Sequence, residues 1–212
     1  MVFADREEAG RILGERLAGV EGIDWPGSLV LGIPRGGVIV AAEVARVLGA
    51  ELDVAVPAKI RAPFQPELAI GAVGPGGAVW LDLDAVAALR IPGHMLDAQI
   101  ESARHEVARR TEVFRGDRAP PAVEGRPVVL VDDGIATGAT IVAAARAVRA
   151  QGPSRLLIGV PLAPGETLRR LAGEVDQVVC LESPEPFMAV GQGYIDFRQV
   201  GDDAVRQVLP HP

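Results

Sequence analysis

Short, unbroken apolar runs alternate along this chain with longer segments whose apolar residues recur every three or four positions. The first kind predicts strands buried on both faces, the second amphipathic helices. DREEAGRILGERLA (5–18) has helical spacing, with Asp5 placed to cap it. SLVLGI (28–33) reads as a strand, PRGG breaks it, and VIVAAEVARVLGA (38–50) reads as a packed helix. ELDVAVP (51–57) is a second strand. AKIRAPFQPELA is proline-rich and reads as irregular, and IGAVGPGGAVWLD reads as a hairpin around GPGG. A long charged helix is predicted over 94–115, then a linker, GDRAPPAVEGR. The rhythm resumes with a strand at PVVLV and a helix over 140–152, where Gly152 suits the C-terminal cap. Two more strands, RLLIGVPLA and DQVVCLE, precede a closing helix, GDDAVRQVL. This order implies right-handed crossovers and a mainly parallel sheet flanked by helices. The expected architecture is one α/β domain over 1–212 with an inserted hairpin.

Composition narrows the class. A chain of 212 residues can bury one sizeable core, and mean hydropathy of +0.24 argues against disorder. No apolar run approaches the roughly 20 residues that span a bilayer, so no membrane partner is expected. The opening MVFADREEAG puts acids where a secretion signal needs an apolar segment, and Cys180 is the single cysteine; a cytoplasmic location is expected. A net charge of −7 weighs against general nucleic-acid binding. The chain has 20 arginines, one lysine and no asparagine. Heat adaptation and GC-rich codon usage both produce that pattern. Either replaces lysine wherever a positive charge alone suffices, which singles out the surviving Lys59.

The densest chemistry is PVVLVDDGIATGAT, residues 127–140. Asp132 and Asp133 fall at the carboxyl end of an apolar strand, where open α/β sheets bind ligands. The helix starting near Gly138 points its N-terminus into the same crevice, and its amides with Thr137 and Thr140 suit a phosphate monoester. Two carboxylates would repel that phosphate but accept hydrogen bonds from vicinal hydroxyls attached to it. Together they fit a ribose 5-phosphate. A lone DD is more often a solvated strand end; the whole string reverses that judgement. GIPRGG (32–37) is placed for a second anion, its glycines admitting backbone amides and Arg35 adding charge.

The string VVLVDDGIATGAT resembles the phosphoribosyl-diphosphate (PRPP) motif of the type I phosphoribosyltransferases, with Gly134 where a branched residue is commoner. The resemblance implies that Asp132 and Asp133 hold the ribose hydroxyls and that Ala136, Thr137, Gly138, Ala139 and Thr140 wrap the 5-phosphate. It implies that Arg35, Gly36 and Gly37 form the pyrophosphate loop, which in the family often holds a cis peptide. It also implies a flexible loop or hairpin at 57–82 that closes over the leaving pyrophosphate and carries Lys59, with Arg61 nearby, and a small C-terminal hood at 183–200. Mg²⁺ is the implied cofactor, held by Asp132 and Asp133 indirectly through ribose hydroxyls or water. A homodimer is implied by the family alone.

The acceptor is less defined. Ala136 stands where relatives acting on 6-oxopurines carry an acid, and Glu67 is a weak stand-in. SPEPFMAVGQGYIDF (183–197) resembles the hood of this family, and PELAIGAV fits a group of bacterial members of unassigned substrate. Phe187, Val190 and Tyr194 are therefore the expected acceptor contacts, although aromatics folded into the core are an equal alternative. His94, His105 and His211 suggest no zinc site, and Cys180 reads as core. Two functions stay open: transfer of phosphoribosyl from PRPP to a small nitrogenous acceptor, and a non-catalytic PRPP or nucleotide sensor. A PRPP synthetase relative is a weaker third, since no ATP signature is present.

Overall fold

The computed structural model describes residues 1–116 and 118–210. Helix α1 (Arg6–Ala18) starts where expected, with the Asp5 carboxylate accepting from the Glu8 amide at 2.9 Å. Strand β1 (Leu29–Gly32), helix α2 (Gly36–Leu48) and strand β2 (Glu51–Val54) form the first crossover. Strands β3 (Ala58–Ala62), β4 (Gln65–Val73) and β5 (Val79–Leu81) follow, then helices α3 (Leu83–Ala88) and α4 (Gly93–Arg115). Strand β6 (Pro127–Val131), helix α5 (Ala139–Arg149), strand β7 (Arg155–Leu162), helix α6 (Gly165–Leu171) and strand β8 (Gln177–Glu182) make the second run, and helix α7 (Asp202–Val208) closes it.

The main sheet is parallel throughout, in the order β2-β1-β6-β7-β8. Its strands are apolar at nearly every position because both faces are covered. Val30, Val129, Val131 and Leu157 face α1 and α2, in a core with Leu13, Leu17 and Val44. Leu29, Leu31, Val128, Leu130, Leu156 and Ile158 face α5 and α6, against Ile141, Val148 and Leu171. The chain leaves β1 toward one edge and β6 toward the other, so the carboxyl ends of these adjacent strands flank the topological switch point.

The inserted region is more regular than the sequence reading expects. AKIRAPFQPELA is not irregular: it holds β3 and the start of β4, an antiparallel pair joined at Pro63 and Phe64. Two prolines obscure an alternation that does specify a strand. Ala58, Ile60 and Ala62 are buried against Val107 and Ala103 of α4, while Lys59 and Arg61 face outward. The GPGG hairpin is present as a 3-10 turn (Pro75–Gly77) between β4 and β5. Helix α3 is an element without a counterpart in the sequence reading; Asp82 caps it, accepting from the Ala85 amide at 2.9 Å. Helix α6 is a second such element. No helix among the described residues is long and apolar enough to cross a membrane.

One buried ion pair ties the insertion to the main sheet. Arg115, the last residue of α4, donates from Nε to both oxygens of Asp53 on β2, at 3.1 and 3.2 Å. Both side chains are 5% exposed. Removing Arg115 leaves Asp53 in the interior with only Arg118 Nη2, 3.9 Å away, for a charged partner, and breaking a buried pair costs about 3–5 kcal/mol. Arg115→Met should therefore lower unfolding free energy by about that amount in chemical denaturation. A loss below about 1 kcal/mol, the range of surface pairs, would mean that other contacts hold α4 in place.

Candidate functional site

At the end of β6 the chain turns back on itself. Asp132 Oδ1 accepts from the Asp133 amide at 2.9 Å, and the Ile135 amide donates to Leu162 O of β7. Thr167 of α6 fixes the following loop, its hydroxyl donating to Ala136 O at 2.8 Å. Gly138 caps α5 with φ +71°, a left-handed conformation open to glycine. Ala136, Thr137, Ala139 and Thr140 are exposed around it, beside the amides of the first helical turn. The loop and the acid pair thus share one rim of the switch-point crevice.

The other rim follows β1. The Ile33 amide donates to Val131 O at 2.8 Å, carrying the β1–β6 ladder one step beyond the strands. The Pro34–Arg35 peptide is cis. Gly36 and Gly37 then open α2 directly against the acids: a Cβ on Gly36 would collide with Asp133 Oδ2, and one on Gly37 would lie 2.8 Å from Asp132 Cα. Only glycine permits this approach. Arg35 is exposed, with Nη1 3.7 Å from Asp202 Oδ1. It lines a cavity of about 450 Å³ with Arg109 and Arg110 of α4, two cations that the sequence reading did not single out.

Lys59 projects from the outer face of β3 into a different cavity, of about 310 Å³. That cavity also holds Thr137 and Ala139 of the helix-start loop, Trp80, Arg146 and Arg170. Arg146 stacks on Trp80, 4.2 Å from the ring centroid, and is paired with Glu174. The fold therefore brings Lys59 to the loop at 136–140, while Arg35 lies beside the other rim. Glu67 is exposed on β4.

The segment expected as a hood packs over the acid pair. Val190 sits against Gly134, where any Cβ would strike its methyl groups. This accounts for a glycine where the resemblance favours a branched residue. Phe187 and Val190 are half-buried, and Tyr194 is buried, 5.6 Å from Phe3 and 5.0 Å from Phe197 between ring centroids. The Tyr194 hydroxyl donates to Asp133 O at 2.5 Å. Burial, with the Asp133 charge behind it, pushes that phenol far up.

Arg6 completes the cluster. Its Nε donates to Asp133 Oδ2 at 2.7 Å, across 127 positions of sequence. The sequence carries no signal for this contact, since an arginine in the first turn of a charged helix looks the same when merely solvated. Asp132, by contrast, is pushed well up, first by burial and then by the neighbouring Asp133 carboxylate. Among the described residues no group of three or more His, Cys, Asp or Glu could hold a metal by itself. Two carboxylates of hard oxygen donors fit Mg²⁺ that keeps waters and takes further oxygens from a ligand. His94 and His105 are exposed on α4, and His211 lies outside the described residues. Cys180 is half-buried, its thiol pushed up chiefly by that burial, and it stands apart from the crevice.

This geometry has known counterparts. The profile of the phosphoribosyl transferase domain family matches residues 8–194, and the chain belongs to that family. The crystal structure of TT1426 from Thermus thermophilus superposes with a TM-score of 0.86 at 44% identity, covering 99% of this chain and 98% of that one. Two Mycobacterium tuberculosis proteins, each named "Putative phosphoribosyl transferase" and known from strains H37Rv and CDC 1551, are 47% identical over 204 residues. The match covers 96% of this chain and 45% of theirs, so the chain spans less than half the length of these relatives.

The raised Asp132 carboxyl yields a stability test. A carboxyl whose folded pKa lies above its unfolded one contributes stability below the unfolded value and loses it as pH rises through the folded value. Above the unfolded value, and so at neutral pH, this carboxyl therefore costs stability. Asp132→Asn should raise the melting temperature at pH 7, with the gain shrinking toward about pH 4, where the wild type is itself protonated. A gain independent of pH, or a loss at pH 7, would show that the acid is not held against its charge.

Proposed function

We propose that this chain binds Mg²⁺-PRPP and transfers its phosphoribosyl group to a small nitrogenous acceptor, most plainly a nucleobase, releasing pyrophosphate. The observation that carries this reading is the pairing across the switch point. An acid pair and a left-handed helix-start loop on one rim stand directly against a glycine loop on the other.

In this reading the 136–140 loop takes the 5-phosphate through its amides and the hydroxyls of Thr137 and Thr140. Asp132 and Asp133 accept hydrogen bonds from the ribose hydroxyls. The Arg35–Gly36–Gly37 turn receives the pyrophosphate. An acceptor nitrogen bonds to the anomeric carbon as the bond from that carbon to the pyrophosphate oxygen breaks. The electron pair leaves with pyrophosphate, and the acceptor nitrogen gives up its proton to solvent. Lys59 stands beside the 136–140 loop rather than the Arg35 turn. In this reading the inserted sheet must therefore shift toward the crevice for its ammonium to meet the negative charge that grows on the leaving group, where charge aimed at such growth lowers the barrier. Magnesium, held through water and ribose oxygens beside Asp132 and Asp133, would supply further neutralisation of the pyrophosphate. Phe187 and Val190 offer the apolar edge for the acceptor. Tyr194, with its ring enclosed by Phe3 and Phe197, is better suited to holding that edge in place than to stacking on a base. We propose a homodimer and a cytoplasmic location on family grounds alone.

Pyrophosphate release from Mg²⁺-PRPP across purines, pyrimidines and small amines tests the reading. Release with one acceptor is expected. Binding of PRPP without release from any of them would favour a sensor, and no binding would overturn the site. Asp132→Asn combined with Asp133→Asn should abolish PRPP binding in calorimetry while the fold persists; undiminished affinity would sink the ribose assignment. Lys59→Ala should lower kcat on the order of 10²-fold with little change in PRPP affinity. Equal turnover would remove Lys59 from the mechanism.

A further inference from the structure

Two stretches at the margins of the family match meet over the acid pair. The Phe3 amide donates to Gly193 O at 2.8 Å, the Ile195 amide to Phe3 O at 2.8 Å, and the Asp196 amide to Ala4 O at 2.9 Å. Phe3 and Tyr194 form a parallel bridge at the centre of this pairing. The strap delivers Arg6 to a place where its guanidinium is used on three sides. Nε donates to Asp133 Oδ2 at 2.7 Å, Nη1 donates to Arg198 O at 3.0 Å, and the flat face covers Phe197, 4.0 Å from the ring centroid. The two charged side chains are 11% and 15% exposed. Arg6, Phe197 and Arg198 all lie outside the residues 8–194 that the family profile matches.

A carboxylate facing a ligand needs its torsion held, or part of the binding free energy is lost in ordering it. Asp133 is held from two directions: Tyr194 grips its carbonyl and Arg6 its Oδ2. Gly36 closes the third side, because a Cβ there would meet both Asp133 Oδ2 and Arg6 Nε. We propose that Arg6 is a positioning residue for the ribose site, occupying Oδ2 of Asp133 so that Oδ1 is presented to a ribose hydroxyl. The role rests on the PRPP reading above. Arginine is suited to it for its shape. One planar group reaches two acceptors in divergent directions and packs on an aromatic face, which a single ammonium cannot do.

The test is a double-mutant cycle on the affinity for Mg²⁺-PRPP, using Arg6→Gln, Asp133→Asn and the double variant. Arg6→Gln should weaken binding by about tenfold and add nothing further in the Asp133→Asn background. Effects that multiply would overturn the proposal, because Arg6 would then act without Asp133. If Asp133→Asn alone takes binding below detection, a crystal structure of Arg6→Gln decides: a rotated Asp133 carboxylate upholds the role and an unmoved one overturns it. Arg6→Lys keeps the charge and should keep the fold, yet still bind weakly; wild-type affinity would show that charge alone suffices and overturn positioning. A wild type that binds no Mg²⁺-PRPP overturns the proposed function and this role together. A wild type that binds, with Arg6→Gln unchanged, overturns only the role of Arg6.

Discussion

Everything at the candidate site hangs on the parallel register between β1 and β6. Gly32 pairs with Val131, and the Ile33 amide continues the ladder to Val131 O, so both strands end side by side. From that shared end one chain turns into the glycine loop and the other into the acid pair. Strand pairing repeats every two residues, so a slip of one position would exchange the residues facing the two cores. It would set Val30 on the face of Val128, or Leu29 on the face of Val129, and carry the glycines away from the acids. The alternation of the two cores guards the register, and the register places the chemistry.

That arrangement sets stability against function. Burying each valine or leucine of the central strands contributes roughly 1.5–3 kcal/mol, and the strands hold many. Asp132 sits at their end, half-buried next to a second carboxylate. The sheet can carry such a cost at one point because the rest of the strand is fully satisfied. The same balance recurs at α4, where Arg115 and Asp53 are buried as a pair and fasten the inserted sheet to β2.

The contiguous chemistry was legible in the sequence, because a strand end, an acid pair and a helix start are local in the chain. The α/β alternation was legible for the same reason, with Asp5 capping α1 and the two loops facing one another as the pattern implied. What was hidden lay in direction and distance. Pro63 and Pro66 obscured the alternation of β3, although Lys59 and Ile60 already pointed to opposite faces. Asp82 is a clear cap in retrospect, but α3 has too few residues to show a period. Phe187, Val190 and Tyr194 stood out through the resemblance of their segment to a hood, yet nothing in the letters says that Tyr194 turns inward. Arg6 could not be read at all, since its meaning depends on a partner from the opposite half of the chain.

Gly134 and Val190 share a single volume at the mouth of the sheet. Side-chain bulk there can be supplied from below, by the turn after β6, or from above, by the segment that crosses it, but not by both. The two positions are therefore coupled in any descendant of this chain: a branched residue at 134 demands a small one at 190. Which of them carries the bulk decides whether that part of the crevice wall belongs to the rigid strand end or to the segment laid across it.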